Sequence, residues 1–231
     1  MRMSKATLLL LTLVSASFGA LADTALPTSK SAASSAWTEG GLQPVKVKGL
    51  DLVYAKPGAN LATYGKFMLS PVSVAFRRDW ERQAPTGSRT RVDSKDVQRI
   101  RDRLAKQVSE ETIKELEAGG YRLVEEPADD VLQLDLAIVD LYVNAPDVTA
   151  AGSVKTYALS AGEMTLVAEL RDSSTGDIVA RVFDRALARE TFRPQRITSV
   201  DNAAEAAAAA RGWAKALRRE LDAARQGDHG G

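Results

Sequence analysis

No cysteine occurs among the 231 residues of a chain whose first residues read as an export signal. Exported domains commonly rely on disulfides, and a chain without thiols has to draw its stability from a buried core instead. The same absence excludes thiolate nucleophiles, Cys-based zinc sites and iron–sulfur ligation. The one histidine, His229, lies in a Gly-rich tail that cannot hold an imidazole in the geometry of a Ser–His–Asp triad.

The signal itself is legible in three parts. Met1–Lys5 carries two positive charges and no acid, an apolar run extends from Ala6 to Phe18, and Ala20-Leu21-Ala22 supplies the small residues a signal peptidase reads. Residues 1–22 are therefore expected to be a cleaved signal peptide. A retained anchor fits less well, because Ser15, Ser17 and Gly19 dilute a run already shorter than the ~20 residues of a spanning helix. No second long apolar run follows, so the expected location is the periplasm, with no transmembrane segment after cleavage. The missing Cys also removes the usual lipid attachment point. With 31 bases, 30 acids and a net charge of +1, no overall field draws in nucleic acid, which is not expected as a partner.

Residues 23–41 are rich in Ala, Ser and Thr, lack periodicity and read as a flexible leader, with Trp37 packing on the domain edge. Residues 42–226 read as one α+β domain and 227–231 as a disordered tail. Within the domain, Phe67–Phe76 alternates loosely around Pro71 and reads as an edge or bulged strand. Val97, Ile100, Leu104, Val108 and Leu116 form a helical stripe, with Asp93 as N-cap and Gly119-Gly120 as the stop. Tyr121–Glu126 reads as a short strand. Val131–Val143 reads as a long central strand whose apolar phase changes after Ile138, which calls for a bulge or for burial on both faces. Met164–Asp172 and Ile178–Leu187 flank a turn and form a hairpin. Ser199 or Asp201 opens a last helix, running to about Arg225, with Ala206, Ala210, Trp213, Leu217 and Leu221 on one stripe. The expected order is β-α-β-β-β-β-α: a single two-layer domain with two amphipathic helices on one face of a mostly antiparallel sheet.

Several of these segments resemble a bacterial family known as domain of unknown function 3313. They are Tyr64–Phe76, Val139–Asp147, Ala161–Leu166, Glu169–Asp177, Arg181–Arg185 and the helix carrying Trp213-Ala-Lys. The resemblance spans about Gly41 to Arg225 and implies a cell-envelope protein, often a lipoprotein, with no assigned activity. This chain departs from the lipoprotein members in lacking the anchoring Cys.

Chemistry is sparse. No G-x-S-x-G, S-x-x-K, H-E-x-x-H, G-x-G-x-x-G or P-loop occurs. The Asp172–Asp177 turn lacks the Gly and distal Glu of a calcium loop and reads as a plain hairpin turn. Asp135 and Asp140 stand an odd number apart and fall on opposite faces of a regular strand. Arg77–Lys106 holds ten bases against five acids, and the preferred reading is a solvated helix face rather than an anion site. The connection from Asn144 to Gly162 is longer than most, and its handles Tyr142, Asn144, Asp147 and Tyr157 are the candidate binding residues. No enzyme activity, cofactor or metal is expected. Two functions remain: a non-catalytic envelope module docking a protein partner, or a binder of a small amphipathic ligand, such as a lipid or glycan fragment, between helices and sheet. An apolar cleft under the helices would favour the second, and a closed core with an uncovered edge strand the first.

Overall fold

A computed structural model of the chain describes residues 26–78, 80, 94–143, 156–158, 162–187, 195–197 and 199–228. In chain order the first elements are α1 (Lys30–Glu39), β1 (Gln43–Val45), β2 (Leu52–Ala55), a 3-10 turn at Leu61–Thr63, β3 (Lys66–Leu69) and β4 (Ser73–Phe76). Next come α2 (Ser94–Ala118), β5 (Arg122–Leu123), β6 (Val131–Val143) and β7 (Thr156–Ala158). The hairpin β8 (Gly162–Asp172) and β9 (Ile178–Leu187), then β10 (Gln195–Ile197) and α3 (Ser199–Asp228), complete the elements of the described residues. The expected signal peptide, Asp93 and His229 lie outside the described residues.

The long apolar segment is the centre of the sheet. The strand order is β1-β2-β9-β8-β6-β3-β5, with β4 also on β6. Pairing is antiparallel from β1 to β6, whereas β3 and β4 run parallel to β6 and β5 runs parallel to β3. Pro71 splits the expected Phe67–Phe76 strand into β3 and β4, because it cannot donate to a ladder. Both halves still pair with β6, so β3 is an inner strand. The expected strand at Tyr121–Glu126 is only the two residues of β5.

α2 and α3 pack together on one face of the sheet. Leu134, Ile138, Leu166 and Leu170 point into that layer and meet Leu104, Leu116 and Trp213. The helical phase is as expected: Leu104 and Leu116 are buried, while Leu217 is partly covered against the same core. α2 ends in a Schellman motif, in which the Tyr121 N–H reaches the Leu116 carbonyl and Gly120 takes φ +82°.

The expected two helices and simple strand order need correction. Residues 30–39, expected within a flexible leader, form a third helix on the opposite face of the sheet. Ser29 caps it through its side chain, and Ala33 and Trp37, four residues apart, are its buried positions. They join Leu42, Tyr54, Ala137, Val139, Val167 and Phe183 in a second small core. A helix with one apolar contact per turn has little periodicity to detect. β6 is thus covered on both sides, and its register on β8 shifts between Val139 and Tyr142. Both explanations offered for the phase change therefore hold. Among the described residues no helix is long and apolar enough to cross a membrane.

Truncating Leu104 or Leu116 to Ala should cost about 2–5 kcal/mol, from lost transfer energy plus a cavity. Lys114→Ala, at an exposed position of α2, should cost less than about 0.5 kcal/mol. Urea midpoints of the three variants check the phase of α2.

Candidate functional site

Of the four residues proposed from sequence, Tyr142 lies on β6 and Tyr157 on β7, opposite Arg196 of β10. Asn144 and Asp147 fall outside the described residues. The structure therefore brings no described cluster together from this set. Around Tyr142 the side chains are already engaged. The Arg77 guanidinium lies 4.2 Å from the Tyr142 ring centroid, and Glu163 pairs with Arg185 at 2.8 Å. Asp140 adopts φ 52° at the bulge, and burial, then the Glu163 charge, raise its carboxyl above its ordinary value. Gly162 is required opposite: a Cβ there would meet the Tyr142 carbonyl oxygen at 2.4 Å. The feature is a tightly built bulge rather than a pocket.

On the face that carries α1, alternation along the strands sets Asp135 directly opposite Glu169. Sequence spacing within one strand could not show this cross-strand acid pair. Both carboxylates are buried and both are neutralised. Arg171 bonds Glu169 and reaches Asp135 at 3.4 Å, Arg181 Nε donates to Glu169 at 2.5 Å, and Ser70 Oγ donates to Asp135. Carboxylates enclosed by arginines and a hydroxyl in this way have no open side toward a substrate. The Asp172–Asp177 turn is likewise satisfied internally. Asp172 Oδ1 accepts from the Ser174 hydroxyl and from the Ser174 and Thr175 amides, and Asp177 pairs with Lys56 at 2.7 Å.

The open space lies on the other face, between the helices and the sheet. A cavity of about 140 Å³ is lined from below by Leu136, Leu166, Ala168, Leu170 and Ala180. Its roof is Val108 and Thr112 of α2 with Trp213, Ala214, Ala216 and Leu217 of α3. Alanines on both surfaces leave this gap, since opposed small side chains do not fill a helix–sheet layer. The cavity reaches the surface where exposed Val45, and half-buried Val47, Leu50, Leu61 and Glu220, complete its wall. Its polar members are few. The Thr112 hydroxyl is spent on the Val108 carbonyl at 2.8 Å. Trp213 Nε1 donates to Asp184 Oδ2 at 2.7 Å, and Asp184 Oδ1 accepts from the Asp51 N–H at 2.7 Å. Burial, the largest cause, raises the Asp184 carboxyl above its ordinary value. This bond joins β9, α3 and the loop after β1, and links two of the segments on which the family resemblance rests. The sequence shows the alanines of the last helix but not that Ala214 and Ala216 stand over small residues of the sheet.

A mixed sheet layered with helices and enclosing an apolar cavity defines the class: an α+β domain with space for a small apolar group. The chain belongs to the family described as "Protein of unknown function (DUF3313)", whose model matches residues 33–217. The match begins inside α1. No curated protein matches the chain. Among solved structures, it is similar to a PelC dodecamer from Paraburkholderia phytofirmans, at 14% identity and TM-score 0.37, covering 72% of this chain and 94% of that one. A DUF330 protein from Xanthomonas campestris shares 13% identity at TM-score 0.41, over 76% of this chain and 94% of that one. A DUF4136 family protein from Bacteroides thetaiotaomicron shares 12% identity at TM-score 0.34, over 77% and 96%. Similarities of this size carry no inference about function.

Hydrogen bonding, first from Ser174, holds the Asp172 carboxyl at about 2, below its ordinary 3.8. A depressed folded value contributes stability above the unfolded pKa and loses it as pH falls through the folded one. Asp172→Asn should therefore flatten the decline in stability between about pH 4 and pH 2, read as urea midpoints across that range. In a separate test of the bulge, Gly162→Ala should destabilise clearly while Asp140→Gly should not, because glycine adopts positive φ freely.

Proposed function

We propose that this chain is a non-catalytic binding module of the cell envelope, exported to the periplasm, that takes up a small apolar group between its helices and its sheet. The observation that supports this reading is the apolar cavity reaching the surface between the loop after β1 and α3. An aliphatic cavity of about 150 Å³ stays dry and takes up benzene, and the 140 Å³ cavity here is of that size. It suits about six carbons, not the paired tails of a diacyl lipid. At ~0.8 kcal/mol per buried methylene, six contribute roughly 5 kcal/mol before the costs of association. Binding of a purely apolar group is therefore weak.

The cleft favours ligand capture over docking through a sheet edge. The β1 edge is three residues long and carries Pro44, which blunts it as a template for another strand. The non-catalytic part of the reading rests on Asp135, Glu169, Asp172 and Asp177, which are engaged by arginine, lysine, hydroxyl or backbone donors.

Titration calorimetry with 1-octanol tests the cavity. Ala168→Leu, which fills it from the sheet side, should abolish the heat of binding while leaving the urea midpoint unchanged or higher. Unchanged binding by this variant would remove the cavity as the site. A fluorogenic panel of ester, phosphate, peptide and glycoside substrates should show no turnover that co-elutes with the protein. Turnover lost on a single Asp or Ser substitution would overturn the non-catalytic reading.

A further inference from the structure

The mouth of the cavity has a charge pattern that its interior lacks. Along the segment Val45-Lys46-Val47-Lys48, Val45 and Val47 line the cavity while Lys46 and Lys48 are exposed between and beside them. This alternation sends apolar side chains one way and ammonium groups the other. The segment is fixed against the opposite lip: Arg219 of α3 donates to the Lys48 carbonyl at 2.6 Å. Glu220, the one acid in the wall, lies beside Arg219, with Arg219 Nε 3.3 Å from its carboxylate. Among the described residues neither Lys46 nor Lys48 has a carboxylate within ion-pair distance, whereas Lys30 and Lys56 pair with Asp51 and Asp177. Counting Lys46, Lys48, Arg219 and Glu220, the lip carries a net charge of +2. It borders a wall with no free hydrogen-bonding group deep inside.

Building on the cavity as the binding site, we propose that its ligand is a single-chain anionic amphiphile. About six carbons of an acyl chain lie against Trp213 and the opposed alanines, and the remaining carbons lead to a carboxylate that stays in water at Lys46 and Lys48. The cavity volume sets the chain length. The unpaired ammonium groups set the sign of the head, which remains hydrated at the lip and avoids the cost of burying an unpaired charge. Two lysines at a solvated lip discriminate charge modestly and in a salt-dependent way.

The test compares octanoate, 1-octanol and octylammonium, each below its aggregation limit, by calorimetry with the purified protein. At low ionic strength octanoate should bind about tenfold tighter than octylammonium, and 0.5 M KCl should bring that ratio down toward one. Lys46→Gln combined with Lys48→Gln should abolish the preference and leave the affinity for 1-octanol unchanged. If 1-octanol binds but octanoate and octylammonium bind equally in the wild type, the anionic head is overturned and the cavity stands. A preference that survives the double substitution places the head elsewhere and overturns the role of these lysines. If none of the three binds, the cavity reading fails and this proposal fails with it.

Discussion

Burial of β6 on both faces is the constraint from which the rest of the fold follows. A strand covered on one side can alternate, but Leu134 and Ile138 face the two long helices while Ala137 and Val139 face α1. In a chain without disulfides, this double layer replaces the covalent staple. It accounts for the third helix, for the near-continuous apolar run and for the bulge at Asp140, which changes the phase of the strand. Gly162 is the partner of that bulge, because only a residue without Cβ fits against the Tyr142 carbonyl.

The two faces then take different roles. Toward α1 the sheet places large and charged residues, and Asp135, Glu169, Arg171 and Arg181 close into a balanced network. Such networks are satisfied rather than reactive, and removing one member leaves a buried charge. Toward α2 and α3 the sheet places Ala168 and Ala180 opposite Ala214 and Ala216, and packing is incomplete. Space exists on the face without such a network, where Asp184 is held by Trp213 and by the Asp51 N–H.

The hairpin, the long helices, the central strand and its change of phase were legible because each repeats a periodic pattern over many residues. Helix α1 was not, although its signals were present. Ser29 is a sound N-cap, and Gly40-Gly41 ends α1 as Gly119-Gly120 ends α2, with the Leu42 N–H bonding the Trp37 carbonyl. Only two apolar contacts lie between these signals, so the amphipathic pattern was too thin to reveal it. The parallel pairing of β3 and β4 with β6 depends on contacts some 65 residues apart, for example Phe67 with Leu132, which no local pattern encodes. The candidate site was less legible still. Tyr142 is tied into the bulge, and the cavity results from small side chains meeting across a layer. Composition showed the alanines, but only the register set them opposite one another.

One topological feature bears on the order in which the molecule assembles. Strand β2 pairs with β9 through contacts such as Val53 with Val182, across about 130 residues of chain. Closing so long a loop is entropically costly until the β8–β9 hairpin and β6 already offer an edge. The segment Val45–Leu50 connects β1 to β2 and rides on that late-docking edge, as does α1 through Tyr54 and Phe183. Local opening of a native domain begins where buried apolar contacts are few, and all three residues of β1 are exposed. The amides of β1 and β2 therefore exchange with solvent before those of β6, and the cavity can lose its lip while its floor stays folded.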